Sequence, residues 1–100
     1  MSSRKTRLKL SPAAQSDFTS ILRYTGERWE SAQLLAYRDK LHDALTRLGG
    51  NPGLGHSSAD LPATHSLYFV GSHVIVYRMR AEVVEVVRIL HQRMSVSRHM

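Results

Sequence analysis

Residues 67–90 read LYFVGSHVIVYRMRAEVVEVVRIL, three apolar runs parted by two short breaks. Leu67-Tyr68-Phe69-Val70 is followed, after Gly71-Ser72, by Val74-Ile75-Val76-Tyr77; after Arg80-Ala81-Glu82 comes a third run from Val83 to Leu90. β-Branched and aromatic residues fill all three, which is the composition of strands. Links this short allow only antiparallel hairpins, because a parallel crossover needs a dozen or more residues. The middle run is almost continuously apolar, which predicts a strand covered on both faces.

Upstream of this stretch, GGNPGLGHSSADLPATH (Gly49 to His65) is a loop by its glycine, proline and small polar residues. Before it, Leu34, Tyr37, Leu41, Ala44, Leu45 and Leu48 recur at three- and four-residue spacing, the stripe of an amphipathic helix. Ser31 is its expected cap, and Gly49-Gly50 with Asn51-Pro52 stops it. An earlier helix begins at Ser11-Pro12, where serine caps and proline loses no hydrogen bond. Its apolar face is Ala14, Phe18, Ile21, Leu22 and Trp29, and Gly26 is expected to interrupt it near its end. Thr6 to Leu10 alternates polar and apolar residues and predicts a strand. The order β-α-α-β-β-β gives an α+β domain, a helical hairpin packed on one face of a small antiparallel sheet. Phe18, Trp29 and Leu41 are expected between the helices and that sheet.

One hundred residues form a single domain, residues 1–100, with room for one core. Apolar residues at 42% and charged residues at 22% argue for a folded chain and against disorder. The absence of cysteine removes disulfides, thiolate zinc sites and cysteine nucleophiles, and fits a reducing cytoplasm. The basic start, Met1 to Arg7, is followed by no long apolar stretch, so neither a secretory signal nor a membrane span is expected. A net charge of +6 attracts acidic partners: nucleic acid, an anionic membrane surface or an acidic protein. The basic residues crowd the two ends, with Arg4, Lys5, Arg7 and Lys9 at one and Arg88, Arg93 and Arg98 at the other.

No standard catalytic or nucleotide motif is present. Gly49-Gly50 and Gly53-x-Gly55 look phosphate-friendly, yet no strand leads into them and no lysine-bearing helix follows. His42 lies near Asp39 and Asp43 on a helix surface, where solvation is the ordinary state, and His65 and His73 flank the first hairpin strand as turn or edge residues. The end of the last strand is the best chemical candidate. Arg88, His91 and Arg93 stand there, and arginine clamps phosphate while histidine moves protons near neutral pH. Strand-end packing and a protein contact surface are the plainer reading of the same residues, because phosphodiester cleavage needs both a base and an acid over the bond.

Ser11-Pro12-Ala13-Ala14 with Phe18, Ile21 and Tyr24 resembles the first-helix signature of ParE toxins, within the RelE/ParE superfamily. Gly71 to Arg78 strengthens the resemblance, and Val87-Arg88-Ile89-Leu90-His91-Gln92-Arg93-Met94 is similar to the ending common in that family. The likeness runs through essentially the whole chain. It implies the toxin of a type II toxin–antitoxin pair, a cytoplasmic protein with no cofactor and no catalysis of its own, linked to plasmid or chromosomal stability. Its implied partners are DNA gyrase, which it inhibits, and a ParD-like antitoxin, through which alone it meets DNA. The RelE branch shares the fold and cuts mRNA instead, and a third reading is a degenerate toxin that only binds antitoxin. Ser66 and Ser95 depart from the family pattern, which more often has arginine and aspartate there. On these grounds the target-binding surface is expected at Arg88, His91, Arg93 and Arg98, a basic stretch that carries no acidic residue. The antitoxin is expected at Leu8, Leu10, Tyr68 and Tyr77, laid as a helix in a groove with strand pairing at a sheet edge.

Overall fold

The computed structural model of the protein describes residues 7–93. Strand β1 (Arg7–Leu10) leads into helix α1 (Pro12–Arg28) and helix α2 (Ser31–Gly50). A single 3-10 turn (Pro52–Leu54) precedes strands β2 (His65–Val70), β3 (His73–Arg80) and β4 (Val83–His91). The order is the β-α-α-β-β-β expected from periodicity.

Ser11 performs the strand-to-helix switch. Its amide donates to the Val86 carbonyl at 2.9 Å, extending the sheet by one bond. Its hydroxyl accepts from the Ala14 amide at 3.0 Å and donates to the Val87 carbonyl at 2.8 Å, so one side chain caps α1 and ties it to β4. The helix runs through Gly26 to Arg28 without interruption. A Cβ on Gly26 would lie 3.4 Å from Leu34 Cδ2, so this glycine marks the close approach of α2 and not a break. The cap of α2 is Glu30, which makes no side-chain capping bond, and Ser31 is already helical.

The sheet order is β1-β4-β3-β2. Both hairpins, β2–β3 and β3–β4, are antiparallel as the short links require. β1 instead pairs parallel with β4, from Arg7↔Val83 to Leu10↔Val86, so the sheet is mixed and the all-antiparallel expectation is corrected. The hairpin argument governs only strands joined by short links. β1 reaches the sheet through the whole helical layer, which leaves its direction to packing. The expected edges, β1 and the strand of Tyr68, are the two edges.

Both faces of β3 are covered, with Val74 to Tyr77 all buried. On one face Ile75 and Tyr77 join Ala14, Ile21, Leu41 and Leu48 of the helices. On the other, Val74 and Val76 pack with Leu90 and with Leu61 of the long loop, which folds back across the sheet. Leu41 is fully buried and Phe18 packs half-buried against the core. Trp29 does not: it stands just past the end of α1 at Arg28 and is 55% exposed. No helix among the described residues is long and apolar enough to cross a membrane.

Candidate functional site

The geometry of the site follows from one irregularity between β3 and β4. Near the turn the register runs Arg80↔Val83 to Tyr77↔Val86, then shifts by one residue so that Val76 faces Arg88. This bulge gives β4 an extra residue, Val87, as bulges do. The Val87 carbonyl goes to the Ser11 hydroxyl, and the Ile89 amide donates to Asp17 of α1 at 3.0 Å. Asp17 also receives Arg88 in a two-pronged ion pair, Nε to Oδ2 at 2.7 Å and a second guanidinium nitrogen to Oδ1 at 2.9 Å. The pair is largely withdrawn from solvent, and Asp17 holds the Arg88 guanidinium above its usual pKa.

Beyond the bulge the shifted register sets His91 directly opposite His73. Their rings meet edge to face with centroids 5.3 Å apart. Tyr37 of α2 brings its hydroxyl to 2.6 Å from His73 Nδ1, and the Ser72 amide donates to the same hydroxyl at 3.1 Å. Burial raises the Tyr37 pKa against the lowering effect of that amide, so the phenol keeps its proton. His73 is shifted down by burial and by its neighbour His91, which favours the neutral ring. A phenol that donates to Nδ1 while accepting from Ser72 puts the His73 proton on Nε2. His91 has the same arrangement: its Nδ1 accepts the Arg93 amide at 3.1 Å. Gly71, at φ +56°, lets the β2–β3 turn come this close, since a Cβ there would meet the Tyr37 hydroxyl at 2.7 Å.

The two imidazoles form one wall of a cleft of about 570 Å³. Its other walls are the end of α1, with Tyr24, Arg28 and Trp29, and the first turns of α2, with Tyr37 and Lys40. The Arg28 guanidinium sits 4.8 Å from the centre of the Tyr24 ring. Among the described residues no carboxylate lines the cleft. At the other end of the helical layer, β1 and the two helices enclose a second recess of about 400 Å³, lined by Leu8, Leu10, Phe18 and Leu45 with a few polar side chains. Among the described residues no three His, Asp or Glu side chains gather to hold a metal ion.

The chain matches the family described as ParE toxin of type II toxin-antitoxin system, parDE, over residues 8–96. It belongs to the ParE toxin family. Toxin ParE1 of Mycobacterium tuberculosis is 36% identical over 96 residues, covering 95% of this chain and 98% of that one. Toxin ParE1 of Caulobacter vibrioides is 33% identical over 92 residues, 92% of this chain and 95% of that one. In fold, a chain of the chromosomal ParDE system from P. aeruginosa superposes with a TM-score of 0.76 at 17% identity, covering 89% of this chain and 98% of that one. A chain of the RelBE2 toxin–antitoxin complex from Mycobacterium tuberculosis superposes at 0.63 and 16% identity, with 93% and 98% covered.

This ParE-family chain places the sequence-derived candidates in several settings. Leu8 and Leu10 are half-buried along the open edge of β1 and line the apolar recess. Tyr68, on the opposite edge strand, packs partly buried against the helix-side core. Tyr77 is a correction: it is 1% exposed on an inner strand and presents nothing to an antitoxin. Its hydroxyl donates to the Pro52 carbonyl at 2.5 Å and accepts the Gly55 amide at 2.8 Å, pinning the long loop. Arg88, expected at the target contact, is engaged by Asp17 and ties β4 to α1. His91 lines the cleft, Arg93 is exposed beside it, and Arg98 and Ser95 lie outside the described residues. Ser66 lies within β2, opposite Tyr77. Sequence reasoning missed Asp17, Tyr37 and Lys40 as site residues and left His73 a turn residue. The serine–proline cap that fixes the start of α1 was the one available signal for Asp17.

Proposed function

We propose that this ParE-family toxin inhibits DNA gyrase by binding it, performs no catalysis of its own, and is neutralised by a ParD-like antitoxin in the cytoplasm. The observation that carries the antitoxin part is the apolar recess beside the open β1 edge. Leu8 and Leu10 offer it alternate side chains, and the free edge of β1 offers backbone groups for strand pairing, so one amphipathic segment can use both. An acidic partner suits the net charge of +6. With Arg88 engaged by Asp17, the gyrase contact rests on Arg93 and the basic residues that follow it in sequence, Arg98 among them.

The test is purified gyrase on supercoiled plasmid, run beside ribosomes programmed with mRNA. Linearised plasmid with intact mRNA is the expected result. Cut mRNA with untouched gyrase overturns it in favour of the RelE-like reading, and silence in both assays, with antitoxin still bound, overturns it in favour of a degenerate toxin.

A further inference from the structure

The cleft at the end of the helical hairpin is unused by this reading, and its chemistry is one-sided. His73 Nδ1 is engaged by the Tyr37 hydroxyl and His91 Nδ1 accepts the Arg93 amide, so each ring has only Nε2 left for a ligand. The Tyr37 hydroxyl spends its hydrogen on His73 and accepts from Ser72. Lys40 and Arg28 add two permanent cations, and no carboxylate among the described residues lines the space. The charged groups that face the cleft are cations and the imidazoles offer it Nε2, so the complementary ligand is an anion. The remaining walls include the rings of Tyr24 and Trp29, each 55% exposed. A volume of about 570 Å³ is that of a small-molecule site.

We infer that the cleft is a binding site for a nucleoside phosphate, with the phosphate held by the Nε2 hydrogens of His73 and His91 and by Lys40, and the base laid on the rings of Trp29 and Tyr24. A bare phosphate leaves the two rings unused, and an acidic peptide side chain is not planar enough to stack on them. The inference stands apart from gyrase and antitoxin: the cleft and the apolar recess share no lining residue.

Trp29 is the only tryptophan in the chain, so its fluorescence reports the cleft directly. Full-length protein is titrated with adenosine 5′-monophosphate, inorganic phosphate, adenosine and a glutamate-rich peptide, and the imidazole nitrogens are followed by NMR. Adenosine monophosphate is expected to quench Trp29 saturably at submillimolar concentration and to shift both imidazoles. Phosphate should shift the imidazoles without quenching, and adenosine should bind at least about tenfold more weakly than the monophosphate. Lys40→Gln, at an exposed helix position, and His91→Gln are each expected to weaken monophosphate binding about tenfold, with circular dichroism unchanged. No saturable quenching at millimolar monophosphate overturns the proposal, as does quenching that Lys40→Gln leaves intact. Peptide binding about tenfold tighter than the monophosphate at the same imidazoles overturns it in favour of a protein ligand.

Discussion

Between β1 and the helical hairpin, Leu8, Leu10, Phe18 and Leu45 surround a recess of about 400 Å³, whereas the far end of the same helical layer encloses about 570 Å³ among Arg28, Lys40, His73 and His91. One site gains by excluding water from apolar surface, a force that is non-directional and tolerant of the partner's details. The other holds fixed donors whose worth depends on position and on the charge of what enters. The two are supported differently as well. The apolar recess borders an open strand edge, while the cleft is held by a register shift, a short turn and hydrogen bonds to Tyr37 and Arg93. Binding in the first should survive small changes of shape, and binding in the second should not.

The contrast shows most sharply within one helix, at two consecutive residues. Lys40 lines the cleft and Leu41 is 0% exposed in the core. Leu41→Ala is expected to cost about 2–4 kcal/mol of unfolding free energy, the usual loss for a truncated core leucine. Trp29→Ala, although it removes a larger side chain, should cost under about 0.5 kcal/mol because its ring lies on the surface. Urea melts of both variants decide the matter. A Trp29→Ala loss as large as that of Leu41→Ala would mean that the cleft end is part of the core after all.

Next in size is the effect on antitoxin binding. Leu8→Glu puts a charge on the apolar recess and is expected to weaken a ParD-like antitoxin by roughly 10- to 100-fold, or about 1.4–2.7 kcal/mol. Lys40→Gln at the other site should change that affinity by less than about threefold. Binding isotherms with matched thermal melts separate lost contact from lost folding. Equal losses in the two variants would show that the antitoxin spans both sites and that the contrast between them fails.

How far these two sites were legible in the sequence differs for a physical reason. The recess follows from periodicity: Leu8 and Leu10 alternate along a strand, Phe18 and Leu45 lie on helical stripes, and burying those stripes brings them together. The cleft follows from the register of one hairpin. Counting back from the Ala81-Glu82 turn pairs His73 with Leu90, and only the extra residue at Val87 brings His91 there instead. No residue type in that stretch announces a bulge, so His73 read as a turn residue and Tyr37 as core. The parallel direction of β1 was hidden for a related cause, since its partner is fixed by packing and not by a short link. Tyr77 misled the reading because an aromatic looks alike at an interface and at an internal anchor.

Acid should separate the two ends. Burial, reinforced by His91, lowers the His73 pKa below its ordinary 6.5, and burial with the Arg78 charge lowers that of His65, against the opposing pull of Glu85. The unfolded chain therefore takes up these protons first, and stability falls as the pH drops through 6.5 until the folded rings also protonate. The groups facing His73 are His91 from β4, Tyr37 and Lys40 from α2, and Arg28 from α1, none of which can balance a new positive charge. His73→Gln should lessen the fall in melting temperature between about pH 7 and pH 5, leaving the part that His65 contributes. An unaltered slope in His73→Gln would remove the histidine pair from the account.

The smallest effect lies at the other end of the strands that carry the histidines. Ala81 and Glu82 both have positive φ, 49° and 65°, the arrangement of a two-residue type I′ turn. Side chains with a Cβ cost roughly 1 kcal/mol or more in that region, and asparagine bears it best because its short polar side chain bonds locally. Ala81→Asn is expected to stabilise the chain by about 0.5 kcal/mol, raising the melting temperature by roughly 2–4 °C for a domain of this size. The turn is separated from the cleft by the full length of β3, and the bulge between them sets the register at His91 independently of the turn's exact strain. Nucleotide quenching of Trp29 should thus be unchanged within about twofold in the stabilised variant. A gain in stability accompanied by a shifted quenching curve would show that strain at the turn reaches the cleft through the hairpin, and that the two ends of the sheet are mechanically one.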